Sequence, residues 1–500
     1  MRKNRHKNKS SIFPIKVGEL KDLLQSKFEN NPDLIFSIYQ HQNKRIAVFF
    51  ISYQVQTDKL ENFLLQPLLN NKKEWTSESI LNEIPLDNGT TKDKLEDILQ
   101  KLLIGEAFVY VEDEQETVSY LLPKKEKRQL TKAETESIVL GPKVAFTETL
   151  MTNLNLVRWG IRSTDLVFEE IKVGKLAPRE LRLVYLKSIT NETDVNTMRQ
   201  RLQSLDVDTI PDSNVLMQYI EDSQTTVFPQ FYSTELPDRF CYVVASGKVG
   251  VLMEGSPNGF IGPSTLFSFF ESTEDIYMRW NTGSFLRLLR FLAMIISVLL
   301  TPLYVAAVTY HYELIPTSEL ITLGQSRAAV PFPPLLEALI LEFMIELLRE
   351  AGARLPTKVG QTMGIVGGIV IGQAAVEAGL TSNILIIVIG ISALASFTSP
   401  SYLMGTTIRV IRFPMIILAG LFGIIGIMLG ICFLIIHLLR ITSLGRPYLT
   451  PLYPFKWKDF NKVLFRLPLS MQSHRASLLR TKDATRYSTK ESKKKKDIDE

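Results

Sequence analysis

The chain has 500 residues, 45% of them hydrophobic and 22% charged, and a formal net charge of +5. This length allows two or three domains, and the only two cysteines, Cys241 and Cys432, exclude a disulfide framework and a cysteine-ligated metal site. Charge becomes sparse between about Phe285 and Leu439, where apolar runs reach membrane-spanning length. The sequence therefore predicts an integral membrane protein with a soluble N-terminal half.

The N-terminal arm, residues 1–16, is basic but is not followed by an apolar core. Such a start lacks the pattern of a cleavable signal peptide. We therefore expect the soluble half to remain in the cytoplasm.

The first soluble unit, residues 17–128, is predicted to be a small α/β or α+β subdomain. Helical spacing alternates with runs rich in aromatic and β-branched residues, which are typical of strands. Helices are predicted over 17–29, 58–69 and 92–103, and strands over 34–40, 45–55, 107–111 and 117–122. A lysine-rich stretch at 124–128 would be the linker to the second unit.

The second soluble unit, residues 129–280, alternates in the same way. Helices are predicted over 146–161, 194–205 and 214–221, a strand over 181–189, and a hairpin from 242–245 and 248–254. Strands alternating with helices favour a sheet covered by helices, and two such subdomains side by side make a ligand cleft possible. The sequence contains no phosphate loop, nucleophile elbow or metal-ligand spacing, so neither an enzyme nor a cofactor is predicted.

Glu148 and Arg158 lie on the predicted helix over 146–161 and allow two interpretations. They form a pair on the surface, which is the preferred interpretation, or one of them makes a contact at an interface. Composition does not separate the two.

The membrane half contains five apolar segments, at 285–308, 335–348, 359–376, 384–397 and 414–438. Flanking lysine and arginine residues place both ends of this half in the cytoplasm, which requires an even number of crossings. The acidic segment 335–348 is the weakest candidate, so we predict four crossings plus one amphipathic or re-entrant helix. This arrangement places several cations on the outer side, against the usual bias: Arg349, Arg354, Lys358, Arg409 and Arg412.

A glycine ladder in the third segment is the sharpest local signal. Glycines recur every four residues, at Gly360, Gly364, Gly368 and Gly372. A stripe without side chains lets another helix approach closely in lipid, which is the preferred interpretation. Alternatively, the smooth face lines a narrow conduit between several copies, and both roles are compatible in a symmetric assembly.

Charged side chains interrupt the second apolar segment and continue beyond it, namely Glu337, Glu342, Glu346, Arg349, Glu350 and Arg354. Ionisable groups at membrane depth are costly and usually functional. The preferred interpretation is an interfacial helix whose acids face headgroups or water and pair with the neighbouring arginines. In the alternative, these acids attract cations to a pore mouth, and gating depends on them.

The tail, residues 441–500, is basic and is predicted to be disordered beyond about residue 470. Lys493 to Lys496 lie near its end. A basic tail beside a membrane favours attraction to anionic lipid headgroups, and a solvated tail is the alternative.

Many short motifs follow one another between residues 141 and 451. They are Gly141-Pro142, Phe146-Thr147-Glu148, Asn153, Arg158, Phe228-Pro229-Gln230, Pro237-Asp238-Arg239, Glu254-Gly255-Ser256-Pro257, Tyr310-His311, Ile315-Pro316, Pro331-Phe332-Pro333, Arg349-Glu350-Ala351-Gly352, Arg354-Leu355-Pro356, Ile371-Gly372-Gln373-Ala374-Ala375-Val376, Pro447-Tyr448 and Pro451. In this order they closely resemble the A subunit of GerA-type spore germinant receptors. The resemblance carries the family assignment, and composition and periodicity do not.

The resemblance implies a multi-pass protein of the inner membrane of dormant spores. It would work with a permease-like B subunit and a lipoprotein C subunit, and it would form a homo-oligomer in contact with membrane lipids. A small nutrient would trigger release of monovalent cations through a conduit built from A subunits. No nucleic-acid partner is expected.

Two other classes of protein fit the sequence less well. A secondary transporter for the nutrient or an ion is the main alternative, but about four crossings are few and no inverted repeat is visible. A membrane enzyme would need a cluster of polar residues at catalytic spacing, which the sequence lacks.

Overall fold

The computed structural model describes residues 13–28, 31–42, 44–71, 73–124, 133, 136, 140–356, 368, 370, 372–468 and 471–487. Two α/β units come first, followed by a group of long helices and a C-terminal segment that returns to the second unit. The predicted lysine-rich linker at 124–128 lies outside the described residues except for Lys124.

The first unit is a five-stranded antiparallel sheet with helices on both faces. Its helical segments are α1 (Val17–Lys27), α2 (Thr57–Leu60), a π turn (Glu61–Leu65), α3 (Gln66–Asn70), α4 (Ser77–Glu83) and α5 (Leu95–Leu102). Its strands are β1 (Leu34–His41), β2 (Lys44–Ile51), β3 (Thr90–Lys92), β4 (Glu106–Val111) and β5 (Thr117–Leu121), in the spatial order β1-β2-β4-β5-β3. Helix α4 begins where Thr76 and Ser79 form a capping box.

The second unit contains a second five-stranded antiparallel sheet. Its helices are α6 (Leu150–Gly160), α7 (Glu192–Gln203), α8 (Ser213–Ile220) and α9 (Pro237–Ala245). Its strands are β6 (Leu166–Val173), β7 (Arg179–Leu186), β8 (Tyr232–Thr234), β9 (Val249–Met253) and β10 (Gly259–Gly262), in the order β6-β7-β9-β10-β8. The side chains of Asn191 and Asp212 cap α7 and α8.

The two units share one topology. Each runs through a helix, two strands, two helices, a strand, a helix and two strands, since α2, the π turn and α3 form one continuous helix in the first unit. In each sheet the strands lie in the order first, second, fourth, fifth, third. The soluble half is therefore an internal repeat in structure, which residue patterns did not reveal.

The predicted hairpin about Ser246-Gly247 is wrong. Residues 237–245 form helix α9, and only the second arm is a strand, β9. Pro237 occupies the first turn of α9, where its missing N–H costs nothing. Phe240, Cys241 and Val244 then bury one helical face, although the run around Val243-Val244 is typical of a strand.

A shared hydrophobic core lies between the two sheets, where a cleft was considered possible. It contains side chains from α1 and α5 of the first unit and from α6 and α9 of the second. Strand β2 shows the arrangement, because Ala47, Phe49 and Ile51 face this core whereas Ile46 and Val48 face the outer helices. The outer face of the second sheet is covered by α7 and α8.

Arg158 belongs to this interface between the units, so the preferred surface interpretation was wrong for it. Its side chain is fully buried, and Nε donates a hydrogen bond to the Tyr53 hydroxyl across the interface at 3.1 Å. A second bridge joins Arg182 to Asp33 at 3.4 Å. Burial raises the pKa of Asp33 above its ordinary value, and Arg182 opposes this rise. Glu148 is exposed.

The helical half begins at α10 (Glu274–Tyr277). It continues through α11 (Trp280–Thr309), α12 (Thr317–Arg327), α13 (Pro334–Arg354), α14 (Gly372–Glu377), α15 (Asn383–Ser396) and α16 (Tyr402–Arg440). Among the described residues, α11 and α16 are long and apolar enough to cross a membrane. The remaining elements are two-residue strands β11 (Thr442–Ser443) and β12 (Arg446–Pro447), helix α17 (Trp457–Leu464) and 3₁₀ turns at Leu266–Phe269, Tyr312–Leu314 and Ser477–Leu479.

Helix α16 folds back on itself at Gly423, so the prediction of one continuous span over 414–438 is wrong. Gly423 has φ 60° and ψ −139°, a conformation that is essentially restricted to glycine. The two limbs, 402–422 and 424–440, pack so closely that a Cβ on Gly430 would lie 2.4 Å from the Met415 sulfur. In a straight helix these residues would be about 22 Å apart.

Hydrogen bonds fix the directions of the helices relative to α11. Glu342 of α13 lies level with Thr301, whereas Glu337 reaches Ser382, which itself contacts Tyr304. Helix α13 is therefore antiparallel to α11. Helix α15 is also antiparallel, because it starts beside Tyr304 and its Ser392 bonds to the Ser297 carbonyl.

The first limb of α16 runs parallel to α11, and the second limb returns. Both outer ends of the hairpin meet the second α/β unit at neighbouring residues: Thr407 donates to the Val227 carbonyl, and the His437 ring contacts the Thr226 hydroxyl at 2.8 Å. The soluble half thus contacts the start and the finish of the hairpin together.

The C-terminal segment packs on the second unit up to residue 487, which corrects the predicted disorder beyond about residue 470 for 471–487. Arg446 forms a buried ion pair with Asp194 at 2.8 Å. Asp222 accepts hydrogen bonds from the Thr442 hydroxyl and from the backbone amides of Leu444 and Gly445. The lysines at 493–496 lie outside the described residues.

Replacing Gly423 with alanine should destabilise the protein by about 1–3 kcal/mol, because the side chain forces a strained backbone conformation. A Cβ there would also lie 2.8 Å from Nε2 of His311. Gly390→Ala is the control, since no described atom lies within 4 Å of its Cβ position in α15. Thermal unfolding of the detergent-solubilised chain compares the two, and equal melting temperatures would contradict the hairpin.

Replacing Asp222 with asparagine should loosen the C-terminal segment. Burial opposes ionisation of Asp222, but bonds from Arg201, Thr442 and Gly445 outweigh it and hold its pKa below the ordinary value. The stabilisation is therefore present at neutral pH and is lost as the pH falls below about 4.

Hydrogen exchange of residues 442–449 measures this effect. The Asp222→Asn variant should exchange faster at neutral pH, and its difference from the wild type should shrink in acid. Asp206→Asn, which removes an exposed pair with Lys175, is the control and should exchange like the wild type. Unchanged exchange in Asp222→Asn would show that Asp222 does not hold the C-terminal segment.

Candidate functional site: a buried network of arginine–glutamate pairs

Arg412 lies in the middle of the first limb of α16, among apolar side chains, and is only 1% exposed. A buried guanidinium is tolerated when its charge is paired and its N–H groups are hydrogen-bonded. The structure meets both conditions. Nη1 donates to Oε2 of Glu342 at 2.7 Å, and Glu342 is equally buried.

The remaining donors of Arg412 bind two other helices. Nε and Nη2 donate to the carbonyl and hydroxyl oxygens of Ser297 in α11, at 2.8 and 2.6 Å. Nη2 also donates to the Ser392 carbonyl in α15 at 3.2 Å. Thr301 of α11 donates to the other carboxylate oxygen of Glu342 at 3.1 Å. One ion pair therefore joins α11, α13, α15 and α16.

A second pair lies nearer the far ends of the helices, where α15 begins. Oε1 of Glu337 accepts from the Ser382 amide at 2.6 Å and from the Thr381 hydroxyl at 3.0 Å. A carboxylate at a helix N-terminus is favoured by the helix dipole. Arg327 of α12 lies 3.0 Å from Oε2, an ion pair whose geometry is not that of a hydrogen bond.

A third pair lies toward the end of the helices that faces the soluble half. Glu346 is 3.2 Å from Arg349 and 3.5 Å from Arg409, and about a quarter of its side chain is exposed. Arg349 also donates to the Ser396 hydroxyl and stacks over Phe397 at 4.4 Å. The acid of this third pair is more exposed to solvent than those of the other two pairs.

The three acids follow α13 over nine residues, a rise of about 14 Å. Each has an arginine from another helix or from the next turn within 3.5 Å. In this conformation the carboxylates are neutralised, and a cation would have to displace an arginine to bind them. Among the described residues, no group of three histidine, cysteine or acidic side chains could hold a metal ion.

These positions correct the preferred interfacial interpretation of the acidic helix. Glu337 and Glu342 face the interior of the helical half and are each 1% exposed. Only Glu350 and Arg354 behave as expected of an interfacial pair, since both side chains are mostly exposed.

The glycine ladder is only partly visible. Gly360 and Gly364 lie outside the described residues. For Gly368 and Gly372, no heavy atom among the described residues lies within 4 Å of the Cβ position. Within the described part of one chain, the stripe therefore has no packing partner at these two positions, and its role stays a prediction.

Sequence reasoning predicted the neighbouring arginines as partners of the acids but missed Arg327, Arg409 and Arg412. Arg409 and Arg412 were interpreted as flanks of a span starting at 414, whereas α16 begins at Tyr402 and encloses both. The available signal was the apolar run on each side of Arg412. An arginine inside such a run needs a buried acid as its partner. The acids that the sequence places in an apolar segment are Glu337, Glu342 and Glu346.

Comparisons with known proteins place the chain among spore germination proteins. The profile of the Bacillus/Clostridium GerA spore germination protein family matches residues 22–478. The chain is 44% identical to spore germination protein GerQA of Bacillus cereus over 96% of both chains. It is 39% identical to spore germination protein GerIA of Bacillus cereus, over 91% of this chain and 68% of that protein. The crystal structure of the N-terminal domain of the A subunit of the Bacillus megaterium spore germinant receptor GerK3 aligns with a TM-score of 0.41 and 26% identity, covering 52% of this chain and 99% of that one.

Replacing Glu342 with glutamine should destabilise the helical half by about 3–5 kcal/mol, because it leaves Arg412 buried without a counter-charge. Glu350→Gln is the matched control on the same helix, and it should cost about 1 kcal/mol or less because that pair is exposed. Chemical unfolding of the solubilised chain measures both. Similar losses of unfolding free energy in the two variants would show that the buried pair stabilises the protein no more than the exposed pair does.

Proposed function

The chain belongs to the Bacillus/Clostridium GerA spore germination protein family, and from this premise we propose that it oligomerises into a nutrient-gated conduit for monovalent cations. Its role is in spore germination, as a membrane-associated receptor subunit and not an enzyme. We propose that it works in a receptor complex with B and C subunits, as the resemblance to germinant-receptor A subunits implies.

The helix directions favour six membrane passes in place of the four predicted from charge. Helices α11, α13, α15 and the two limbs of α16 account for five. Because α13 and α15 run the same way, the end of α13 and the start of α15 lie at opposite ends of the helices, and we count the connection between them as a sixth pass. An even number keeps both termini in the cytoplasm.

This arrangement also agrees with the positive-inside rule. Arg349 and Arg409 lie at the end of the helices that faces the soluble half, where Thr407 contacts Val227. They were expected on the outer side, which counted against the earlier topology. The proposed passes remove that conflict.

The observation that carries the conduit proposal is the line of paired acids along α13. In a low-dielectric interior, a carboxylate that loses its arginine attracts a cation strongly. We propose that the conformation with closed Arg–Glu pairs is the resting state. Nutrient binding to the receptor complex would shift the population toward a state in which cations replace these arginines.

Assembly into a homo-oligomer would complete the conduit. Many large apolar side chains on α15 and on both limbs of α16 are exposed, as expected of surfaces that face lipid or other subunits. The open sides of Gly368 and Gly372 suit close approach by a second chain. The ladder would then pack between subunits and border the ion path.

Removing both charges of the buried pair tests the conduit without leaving an unpaired charge. The variant Glu342→Gln/Arg412→Gln should fold, because neutral replacement of a buried pair is often tolerated. Spores that carry it should release potassium severalfold more slowly after a nutrient to which the wild type responds. Glu350→Gln/Arg354→Gln is the matched control and should release potassium normally.

Two outcomes would count against this proposal. Normal potassium release from the buried double variant, at equal receptor levels on an immunoblot, would exclude the acids from the ion path. Saturable uptake of the nutrient by vesicles containing this chain alone would favour the transporter instead.

Replacing Gly368 with leucine tests the role of the ladder between subunits. Its side is open among the described residues, so stability of the isolated chain should not change. Potassium release and cross-linking into oligomers should both fall. Gly18→Leu in α1, where the side is also open, is the control for a bulky exposed residue. Wild-type release from Gly368→Leu spores would refute the ladder contact.

A further inference from the structure

A cavity of about 400 Å³ lies where the soluble half, the start of α11 and the C-terminal segment meet. Its walls come from α9 and the following turn, from the 3₁₀ turn at Leu266–Phe269, from Arg287 of α11 and from residues between 450 and 487. This volume is at the small end of the range for ligand pockets in proteins. The cavity is separate from the network along α13.

Lys248 is an under-paired charge in the wall of this cavity. Within the described part of the chain, Nζ donates one long hydrogen bond, to the neutral Ser268 hydroxyl at 3.4 Å. Burial lowers the pKa of Lys248 to about 8, and attraction to Glu271 offsets this only in part. Among the residues that the structure describes, no carboxylate forms an ion pair with this partly buried ammonium, and a ligand anion would relieve that cost.

Two arginines in the wall donate mainly to backbone carbonyls, and Arg475 also lies 3.7 Å from the Asp483 carboxylate. Arg466 directs its guanidinium to the backbone carbonyls of Ile276 and Met278. Arg475 donates to the carbonyls of Asp483 and Thr485, while its Nε is buried without a hydrogen-bond partner. Burial lowers the pKa of both arginines from the ordinary value.

The balance of charge around the cavity is positive. Five lysine and arginine side chains line it, against three carboxylates. One of these carboxylates, Asp275, is already held by Arg287 and by Arg290 of the next turn. Another, Asp459, accepts from the backbone amide and hydroxyl of Ser477.

We propose that this cavity binds a small anion of the phosphate or carboxylate class, with Lys248 and Arg475 as its principal ligands. The Lys248 ammonium supplies a point charge, and the Arg475 guanidinium adds a second positive charge to the wall. The anion would connect the soluble half to the C-terminal segment and to the foot of α11. This inference does not depend on cation conduction.

Such an anion has two sources, a dissolved ion or the headgroup of an anionic lipid. The site is close to the membrane surface, because Arg287 lies two turns into α11 and the exposed Trp280 marks its start. Juxtamembrane basic clusters attract anionic headgroups as well as free phosphate. The chemistry recognised is the same in both cases.

The test uses the full chain in nanodiscs of phosphatidylcholine alone, titrated with inorganic phosphate by calorimetry at neutral pH. In a second arm, phosphatidylglycerol replaces part of the phosphatidylcholine and the melting temperature is measured without phosphate. A dissolved anion predicts phosphate binding in the first arm. A headgroup predicts a higher melting temperature in the second, and either result supports the site if it depends on Lys248.

Lys248→Met should weaken the response by about tenfold, the usual effect of losing one charge-assisted hydrogen bond. Lys248→Arg should retain it, and Lys59→Met on the exposed face of α2 should match the wild type. Because deprotonation of Lys248 removes the charge, wild-type binding should also weaken as the pH rises through about 8.

The wild-type pH profile keeps the test decisive if Lys248→Met does not fold. No response in either arm would overturn the proposal. So would equal responses from Lys248→Met and Lys59→Met, or a wild-type response that stays constant between about pH 7 and pH 9.5.

Discussion

The constraint on which the helical half depends is the burial of one guanidinium. Arg412 brings a fixed positive charge and five N–H groups into an apolar interior, where each unmet group is costly. Three other helices meet that demand through Glu342, Ser297 and Ser392. The bonds set the height of α13 and α15 against α11, since a shift by one turn would leave the charge without partners. The long apolar surfaces themselves impose no such register, because apolar contacts are not directional.

Hydrogen bonds, which are also directional, connect the helices to the soluble half. Thr226 and Val227 contact both outer ends of the α16 hairpin, and Asp222 holds the segment that leaves it. Inside the soluble half, Arg158 joins the two repeated units through a shared core instead of a cleft. A displacement of the soluble half would therefore reach the hairpin through polar contacts, not through a flexible linker. This is the physical route by which a receptor partner could bias the arginine–glutamate pairs.

Most strands and helices of the soluble half were predictable from sequence, because alternation and helical periodicity are local properties. Helix α4 and strands β3, β6, β8 and β10 were not predicted, and one predicted strand is of the wrong type. The run around Val243-Val244 favours a strand by residue preference, yet it forms α9 because Pro237 opens a helix and the buried face lies at helical spacing. The duplication of the fold was not predictable, because topology can be repeated after the residue patterns have diverged. Within the candidate site the acids and Arg349 were identified, but the partners from other helices, Arg327, Arg409 and Arg412, were not.

The sequence by itself determined the long apolar segments, the acids of α13 and the resemblance to a family. These depend on composition, periodicity and short motifs. Tertiary structure alone decided that α16 turns back at Gly423, that Arg412 pairs with Glu342, and that residues 471–487 return to the second unit. The reason is that each of these joins residues far apart in the chain. A charge within an apolar run indicates that a partner is required, but only the packing of the helices decides which residue lies close enough to pair with it.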